Sequence, residues 1–385
     1  MTRTKVAILH NLPAPYRLQL FEKLLKDDEL DVRIFFTGRP RSNRPSWTSD
    51  FHSGDSRIIF LPEIALPIKG GSADALNLNS GIGRIFKWKP DVVVLYGYQE
   101  FTNILVAMLC SILRIPYVLS AEISGVWTST RIGRISKPVV RAVVSRASSL
   151  APASRSAADF FRSLSGNGRE MRIIPPIPDV EALAARAASV KQRSIAIRSR
   201  LGFAGRFGIV FVGRLENYKG IQEMFDALDM VVTRDPNAVL LVVGKGSLQQ
   251  LVESRCRTHN RNCIYLGSLD DNALLEVLVS CDLHILPSWH EAYGVICAEA
   301  LSCGVPSVVT ATSGCSDLIE DGVNGFIIEP RNATLLAEAI LKVSTSHSLL
   351  QSMKGSALVN LKAFYMGNLH ASLKELILSA IASKK

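Results

Sequence analysis

Short apolar runs alternate with longer segments of helical periodicity along the whole chain. Residues 92–95 are an unbroken apolar run, whereas residues 16–26 place apolar side chains at helical spacing. An unbroken apolar run is typical of a strand buried on both faces, so the alternation predicts parallel sheets covered by helices. The predicted strands are residues 4–10, 31–36, 57–60, 91–95, 116–120, 148–152 and 171–174 in the first half, and 207–212, 238–243, 263–266, 281–286, 306–310 and 326–328 in the second; helices are predicted there at 220–233, 247–257, 271–280, 293–303 and 333–343.

Two such series of strands predict an α/β protein with two Rossmann-like domains rather than one very large sheet. The boundary is marked by Pro175-Pro176-Ile177-Pro178, which cannot continue a sheet. The first domain is therefore predicted at residues 1–178 and the second at 200–366, with an alanine-rich helical stretch, 181–197, between them. A ligand is expected in a cleft at the carboxyl ends of the strands.

The amino-acid composition indicates which broad class of protein the chain belongs to. The chain has 385 residues, of which 48% are hydrophobic and 20% are charged, as in ordinary globular proteins. Its longest apolar run, 104–113, is too short to cross a bilayer, and residues 5–10 are typical of a strand rather than a signal peptide. Seven cysteines without a C-x-x-C pair predict buried free thiols in a reducing compartment. The predicted location is cytoplasmic.

The net charge of +10 is confined to the first half of the chain. Residues 1–175 hold 24 Lys and Arg against 14 Asp and Glu, whereas residues 176–385 hold 20 of each. This asymmetry favours an anionic partner for the first half, such as a membrane surface, a phosphorylated substrate or nucleic acid. A solubilising surface without a partner is an equally good account of the charge alone.

The clearest candidate chemistry follows the strand 207–212. Two cations, Arg214 and Lys219, lie on a glycine-flanked loop that leads into a helix, where free backbone N–H groups already favour an anion. This arrangement suits a diphosphate, although a solvated loop with two exposed cations is the alternative. After the next strand, Gly244 in Gly244-Lys245-Gly246 allows close approach of a ligand, but the motif is not a dinucleotide fingerprint.

A second candidate group follows the strand 281–286. Glu291 lies in the loop, and Glu299 lies on the following helix as a lone carboxylate among apolar residues. Ribose hydroxyls could satisfy such a carboxylate, and the free N–H groups of Gly294, Val295 and Ile296 could receive phosphate. The alternative for Glu299 is an ordinary surface glutamate.

Residues 211–330 resemble the donor domain of retaining glycosyltransferases of family 4, which have the GT-B fold. The resemblance is carried by the Arg and Lys-Gly loop, the two glutamates separated by seven residues, Ala300-Leu301-Ser302-Cys303-Gly304-Val305-Pro306 and Asp321-Gly322-Val323-Asn324-Gly325, in that order. It implies two Rossmann-like domains that face each other across a cleft, with a terminal helix, residues 367–385, packing back on the first domain. It also implies transfer of a sugar from a nucleoside-diphosphate-sugar donor.

The resemblance also implies roles for individual residues. Arg214 and Lys219 match the pair that neutralises the donor diphosphate, Glu291 the carboxylate at the transferred sugar, and Glu299 the ribose contact. Gly267-Ser268-Leu269 matches the turn beside the nucleotide base, and Tyr293 and His290 flank Glu291 as candidates for sugar selection. Asp321-Gly322 is expected to be a turn. The donor is a substrate, so no cofactor is expected, and the lack of an Asp-x-Asp triplet fits a route without a metal.

The first half of the chain, which the resemblance assigns to acceptor binding, carries fewer signals of function. Residues 10–17 hold prolines where many relatives have a glycine-rich loop, and resemble a subset of bacterial surface-polysaccharide transferases. Glu122 occupies the region where some relatives have a histidine, and both a ligand contact and a loop cap remain open for it. The expected acceptor is a glycan or a lipid-linked glycan, as in lipopolysaccharide and other polysaccharide biosynthesis.

Residues 131–146 carry five basic side chains and no acidic one. A helix would align several of them, which favours docking at an anionic membrane surface and a peripheral position at the inner face of the cell membrane; a solvated helix face is the alternative.

Other classes fit less well. A nicotinamide oxidoreductase needs three glycines after the first strand, and residues 10–17 contain none. Nucleic-acid binding is supported by charge alone and is not expected. An epimerase-like GT-B enzyme and a non-catalytic GT-B homologue remain as alternatives.

Overall fold

Two parallel sheets organise the protein. The computed structural model describes residues 3–38, 54–64, 78–98, 100–122, 131–166 and 168–383. The chain divides into a first unit, Met1–Pro176 with Met366–Lys385, and a second unit, Ile177–Tyr365. In the described part of the chain, no helix combines the length and apolar character needed to span a membrane.

The first unit contains a seven-stranded parallel sheet with the order β3-β2-β1-β6-β7-β8-β9. A short antiparallel pair, β4 and β5, stands apart from it. The strands are β1 Thr4–His10, β2 Leu30–Phe36, β3 Ile58–Phe60, β4 Glu63–Ile64, β5 Leu78–Asn79, β6 Val92–Tyr96, β7 Tyr117–Ala121, β8 Ser149–Pro152 and β9 Glu170–Met171; the helices are α1 Pro15–Leu25, α2 Gly83–Lys87, α3 Phe101–Ile112, α4 Arg131–Arg146 and α5 Arg155–Ser165.

The second unit contains a six-stranded parallel sheet with the order β12-β11-β10-β13-β14-β15. The strands are β10 Phe207–Val212, β11 Ala238–Val243, β12 Cys263–Gly267, β13 Leu283–Leu286, β14 Ser307–Thr310 and β15 Gly325–Ile328; the helices are α6 Val180–Lys191, α7 Ser194–Arg200, α8 Ile221–Arg234, α9 Gln249–His259, α10 Asp271–Ser280, α11 Val295–Ser302, α12 Ala333–Ser344 and α13 His347–Ser356. The predicted fold class, α/β with two parallel-sheet domains, is confirmed.

Both faces of the second sheet are buried, as its unbroken apolar strands predict. Side chains alternate between the faces, so Ile209 and Phe211 pack with α8 and α12, whereas Val210 packs with α7 and α10. Each large side chain that is fully buried in this way contributes roughly 1.5–3 kcal/mol to the free energy of unfolding. The two layers of helices hold the sheet rigid and leave its carboxyl edge free for function.

A last helix, α14 Met366–Ala382, belongs to the first unit although it follows the second. Its buried leucines and isoleucine face α1, β7 and β8. Lys374 forms a salt bridge with Asp27 at 3.0 Å, and Glu375 forms one with Arg172 at 2.6 Å. Apolar burial and two ion pairs therefore fix α14 to the first unit.

Three departures from the sequence-based expectations concern the stretch between the domains, one strand and the cysteines. The alanine-rich stretch forms two helices, α6 and α7, and both lie in the second unit. The strand predicted at 171–174 is assigned only as the two-residue β9, although the N–H groups of Arg172 and Ile174 still donate to the carbonyl oxygens of Leu150 and Pro152 at 3.1 and 2.8 Å. Cys256 and Cys263 form a disulfide, so the expectation of free thiols is wrong for this pair; the other five cysteines are free and buried.

Candidate functional site

The candidate site lies at the carboxyl edge of the second sheet, where β10 is flanked by β11 on one side and β13 on the other. The chain leaves β10 and β13 towards helices on different parts of the sheet. Where the connections of two neighbouring strands diverge in this way, at a topological switch point, a crevice opens at the carboxyl edge of the sheet. The structure places Arg214 and Lys219 after β10, Gly244 after β11 and Leu269 after β12; Glu291, Tyr293, Gly294, Val295, Ile296 and Glu299 all follow β13.

Glycines allow the loops at this edge to pack backbone against backbone. Gly244 has φ +138°, and a Cβ there would collide with the carbonyl group of Gly213. Gly220 has φ +71°, and a Cβ there would collide with the carbonyl group of Pro287. The loops after β10, β11 and β13 therefore form one continuous surface. A side chain at either glycine would push these loops apart.

Lys219 and Glu291 meet on this surface. The Lys219 ammonium donates a hydrogen bond to Glu291 Oε2, and their side chains are only 11% and 17% exposed. The Tyr218 ring lies beside both cations, with its centroid 5.5 Å from Lys219 Nζ and 5.4 Å from the guanidinium carbon of Arg214. Lys219 is thus held in place by its carboxylate partner, whereas Arg214 is exposed and free to meet an anion.

The loop after β14 supports Glu291 from behind. The Thr312 hydroxyl donates to the Trp289 carbonyl oxygen at 2.8 Å, and the N–H of Gly314 donates to the Glu291 carbonyl oxygen at 3.2 Å. These contacts fix the backbone of the loop that carries Glu291 and do not involve the Glu291 side chain. Sequence reasoning did not find this supporting loop, because its residues carry no charge.

The amino end of α11 presents unsatisfied donors. Gly294 is the N-cap with φ +93°, and no side chain caps the helix. Among the described residues, no acceptor contacts the N–H groups of Gly294, Val295 or Ile296. Free amides and the positive end of the helix dipole make this position favourable for an anion.

Glu299 lies one turn further along α11, half-buried, without a hydrogen-bond partner among the described residues. Burial, assisted by the nearby charge of Asp271, raises the pKa of Glu299 to about 7. A half-buried carboxylate that lacks a donor is suited to receive hydroxyl groups from a ligand.

The raised pKa of Glu299 predicts a pH-dependent stability. The pKa of Glu299 in the folded state is higher than the usual value of about 4.5, so ionisation of this carboxyl group above pH 7 destabilises the folded state. Below pH 4.5 the group is protonated in both the folded and the unfolded state, and this destabilisation is absent. Glu299→Gln is therefore expected to raise Tm relative to the wild type at pH 8.5, by more than it does at pH 5.5. Thermal melts at both pH values measure this difference, with Glu338→Gln, an exposed glutamate on α12, as the matched control. An equal Tm difference at the two pH values would contradict the prediction.

Two residues that were predicted to contact the donor, Leu269 and Tyr293, lie in different surroundings. Leu269 is half-buried just after β12 and packs against the same apolar cluster as Ile296. Tyr293 is only 2% exposed, so its ring is buried within the unit. Asp321 and Gly322 form a turn, in which Asp321 accepts the N–H of Ile327 at 2.8 Å.

A group of aromatic and cationic side chains borders the site, and the sequence analysis identified only His290 among them. The Trp289 indole N–H donates to Glu223 at 2.8 Å, and the Arg331 guanidinium carbon lies 4.1 Å from the Trp289 ring centroid. His290 stacks on Tyr218 at 5.3 Å, and burial lowers its pKa. Arg331 has φ +59°, an uncommon conformation for arginine that offered no signal in the sequence.

Glu122, in the first unit, accepts a hydrogen bond from Arg17 at 3.4 Å. Arg17 is 2% exposed, lies beside the Tyr96 ring and donates to the carbonyl oxygen of Ile174 at 3.4 Å. Burial and the nearby Arg17 lower the pKa of His10 to about 3, so its imidazole is neutral. Glu122 is thus an ion-pair partner within its own unit, which favours the loop-support reading over direct contact with a ligand.

Residues 194–357 match the family model described as "Glycosyl transferases group 1". This stretch, which is less than half of the chain, is similar to group 1 glycosyltransferases. It contains every residue assigned to the candidate site.

Individual relatives resemble the chain over different lengths. An uncharacterised glycosyltransferase of Methanocaldococcus jannaschii is 31% identical over 137 residues, which are 35% of this chain and 35% of that protein. A glycogen synthase of Mycobacterium tuberculosis is 27% identical over 268 residues, which are 68% of this chain and 62% of the synthase. The matches thus span about one third to three fifths of these relatives.

Solved structures share the fold over nearly the whole chain. HepE from Anabaena, crystallised with UDP, has a TM-score of 0.75 at 18% identity and covers 98% of this chain and 100% of its own. WaaG, described as a glycosyltransferase involved in lipopolysaccharide biosynthesis, has a TM-score of 0.68 at 17% identity and covers 97% of this chain and 99% of its own. The GT-B fold that the sequence predicted is confirmed.

Proposed function

We propose that this protein is a retaining glycosyltransferase that uses a nucleoside-diphosphate-sugar donor. The observation that carries the proposal is the single surface in the second unit that joins the Lys219–Glu291 pair, the free amides at 294–296 and the unpaired carboxylate of Glu299. Cations and amides suit a diphosphate, and carboxylates suit the hydroxyls of a sugar and a ribose. The HepE structures, which hold UDP and UDP-glucose, support a donor of this class here.

The proposed roles follow from the geometry. The amides of residues 294–296 and the exposed Arg214 bind the diphosphate, while Lys219 lies between this anion and Glu291. Glu299 accepts ribose hydroxyls, and Leu269 supports the base. Glu291 accepts hydroxyls of the transferred sugar, because its carboxylate has a second oxygen beyond the one that Lys219 contacts.

In the proposed reaction, the bond between the anomeric carbon and the diphosphate oxygen breaks and its electron pair remains on that oxygen. Arg214, Lys219 and the amino end of α11 stabilise the growing negative charge. The acceptor hydroxyl forms its bond to the anomeric carbon on the same face and gives its proton to the leaving phosphate, so configuration is retained. The fixed cations supply the positive charge that this route needs, and we propose that it requires no metal.

The acceptor is proposed to be a glycan or a lipid-linked glycan in cell-surface polysaccharide synthesis. Relatives support this class: one is named a capsular polysaccharide biosynthesis glycosyltransferase from Staphylococcus aureus, and WaaG acts in lipopolysaccharide biosynthesis. A cytoplasmic location remains part of the proposal.

A thermal-shift screen tests the donor site directly. UDP-, GDP-, ADP- and TDP-sugars are added with EDTA to the wild type, to Glu299→Ala and to the control Glu338→Ala. One nucleotide class at 100-fold excess over Kd is expected to raise Tm by roughly 5–10 °C, since it adds about 2.7 kcal/mol of stability. The shift should be lost in Glu299→Ala and kept in Glu338→Ala.

The outcomes separate the candidate functions. No shift with any nucleotide sugar contradicts the donor site and favours a non-catalytic homologue. A shift followed by turnover without an acceptor favours an epimerase-like enzyme. With the acceptor supplied, proton NMR of the new glycosidic bond measures its configuration, and inversion would exclude the proposed reaction.

A further inference from the structure

Two aromatic side chains stand beside the Lys219–Glu291 pair. The Tyr218 ring stacks on the His290 ring, with centroids 5.3 Å apart and an angle of 21° between the ring planes. Tyr218 immediately precedes Lys219, and His290 immediately precedes Glu291, so the ring pair and the ion pair join the same two loops at neighbouring positions. The proposed reaction uses the ion pair and gives the ring pair no role.

The backbone joins these two loops independently of the rings. The N–H of Trp289 donates to the Tyr218 carbonyl oxygen at 2.8 Å. Gly220 lies so close to the carbonyl group of Pro287 that a Cβ could not be accommodated. Loss of the Tyr218 or His290 ring should therefore leave the loops paired and change only what the rings contact.

The Tyr218 ring contacts both cations of the site. Its centroid lies 5.5 Å from Lys219 Nζ and 5.4 Å from the guanidinium carbon of Arg214. The attraction between a cation and an aromatic ring is stronger where water is excluded. Lys219 is only 9% exposed, whereas Arg214 is exposed. The ring is therefore expected to restrict the Lys219 ammonium more than the Arg214 guanidinium.

Both rings are uncharged near neutral pH. Burial raises the pKa of Tyr218. Burial also lowers the pKa of His290; the Glu291 carboxylate opposes this shift, whereas the charges of Lys219 and Arg331 add to it. The stack thus offers a neutral aromatic surface to Lys219 rather than a further cation. None of the ring contacts involves the Tyr218 hydroxyl, so phenylalanine can replace tyrosine at this position.

We propose that Tyr218 and His290 are positioning residues, in which the Tyr218 ring restricts the Lys219 ammonium and the His290 ring holds the Tyr218 ring in place. Glu291 alone leaves the ammonium group free to turn, because an ammonium has three N–H donors and Glu291 is its one hydrogen-bond acceptor among the described residues. The consequence for catalysis rests on the proposed function, whereas the restriction of Lys219 does not.

Competitive labelling with acetic anhydride, measured by mass spectrometry, tests this restriction without a substrate. Lys219 of the wild type should react more slowly than Lys342, an exposed lysine on α12, because acetylation needs a lysine nitrogen that is released from its contacts. Tyr218→Leu and His290→Ala should each raise the rate at Lys219 roughly fivefold, the factor that corresponds to one aromatic contact. Tyr218→Phe, which keeps the ring, should reverse most of this rise.

Phe326→Leu is the matched control. The Phe326 ring is half-buried on β15 and lies 5.5 Å from Lys342 Nζ, so this change removes an aromatic ring beside a lysine elsewhere in the same unit. It should leave the rate at Lys219 unchanged. If Tyr218→Leu does not fold, His290→Ala decides the result, since it keeps the Tyr218 side chain. An unchanged rate at Lys219 in the folded variants, or an equal rise in Phe326→Leu, overturns the proposal.

Steady-state kinetics distinguish positioning from a general loss of structure. Tyr218→Leu should lower kcat roughly tenfold and change KM for the donor less than about threefold, because the amides of residues 294–296 and Glu299 still bind it. In a Lys219→Ala background the same change should lower kcat no further, since Tyr218 acts through Lys219. Additive losses would exclude this action. Absence of transfer by the wild type would contradict the proposed function, and the labelling would still decide whether the rings restrict Lys219.

Discussion

Lys219→Ala is expected to lower kcat by roughly 10²–10³-fold in the proposed transfer reaction. The ammonium group is nearly buried and is held by Glu291, so its charge has a fixed position, and we propose that it faces the leaving group. A preorganised charge of this kind stabilises the transition state more than the bound donor, and its loss has an effect of this size in other enzymes. The change should therefore appear mainly in kcat, with a smaller effect on KM.

Steady-state rates with the nucleotide sugar found by the thermal-shift screen measure this effect. Lys342→Ala, an exposed lysine on α12, is the matched control and should keep wild-type kcat. Circular dichroism melts show whether Lys219→Ala is folded, because removing one partner leaves Glu291 unpaired. A folded variant with kcat within threefold of the wild type would remove Lys219 from the chemical step.

Gly244→Ala is expected to lower the free energy of unfolding by about 3–5 kcal/mol, because its Cβ would collide with a backbone carbonyl group that cannot move without breaking the loop. The loop is tied on both sides, since the N–H of Gly244 donates to the Gly267 carbonyl oxygen at 2.7 Å and that of Gly213 donates to the Val243 carbonyl oxygen at 3.0 Å. The adjacent strands β10 and β11 would have to separate at their carboxyl ends to admit the methyl group.

Urea unfolding of Gly244→Ala and Gly322→Ala distinguishes collision from backbone strain. Gly322 also has a positive φ, +77°, but a Cβ there would meet no atom within 4 Å. Gly322→Ala should therefore cost only about 1 kcal/mol. If the two variants lose the same stability, the close approach of the loops is not what requires glycine at position 244.

The fold was predictable because its main signals are local. β10, β11 and α10 have the predicted bounds, since continuous apolar strands and a helix that begins after Asp270 leave clear patterns. The pair β4–β5 was missed because two-residue strands have no periodicity to detect. The Cys256–Cys263 disulfide was missed because its partners are brought together only by the turn between α9 and β12.

The candidate site was predictable only as a set of residues. Their order along the chain resembles a family pattern, but the pairing of Lys219 with Glu291 depends on how two loops pack, which sequence spacing does not specify. For the same reason, the sequence did not reveal that Tyr293, which was predicted as a ligand contact, has a buried aromatic ring. Arg331 and Thr312 were missed because each acts through a tertiary contact with the loop after β13.

The position of α14 has a consequence for biosynthesis. On the ribosome, the second unit, Ile177–Tyr365, is complete before residues 366–382 are translated, whereas the first unit still lacks the helix that covers α1, β7 and β8. Domains generally fold as units during synthesis. The nascent first half therefore exposes the apolar surface that Leu373, Leu376 and Ile377 later bury, and chaperones can recognise it during that interval.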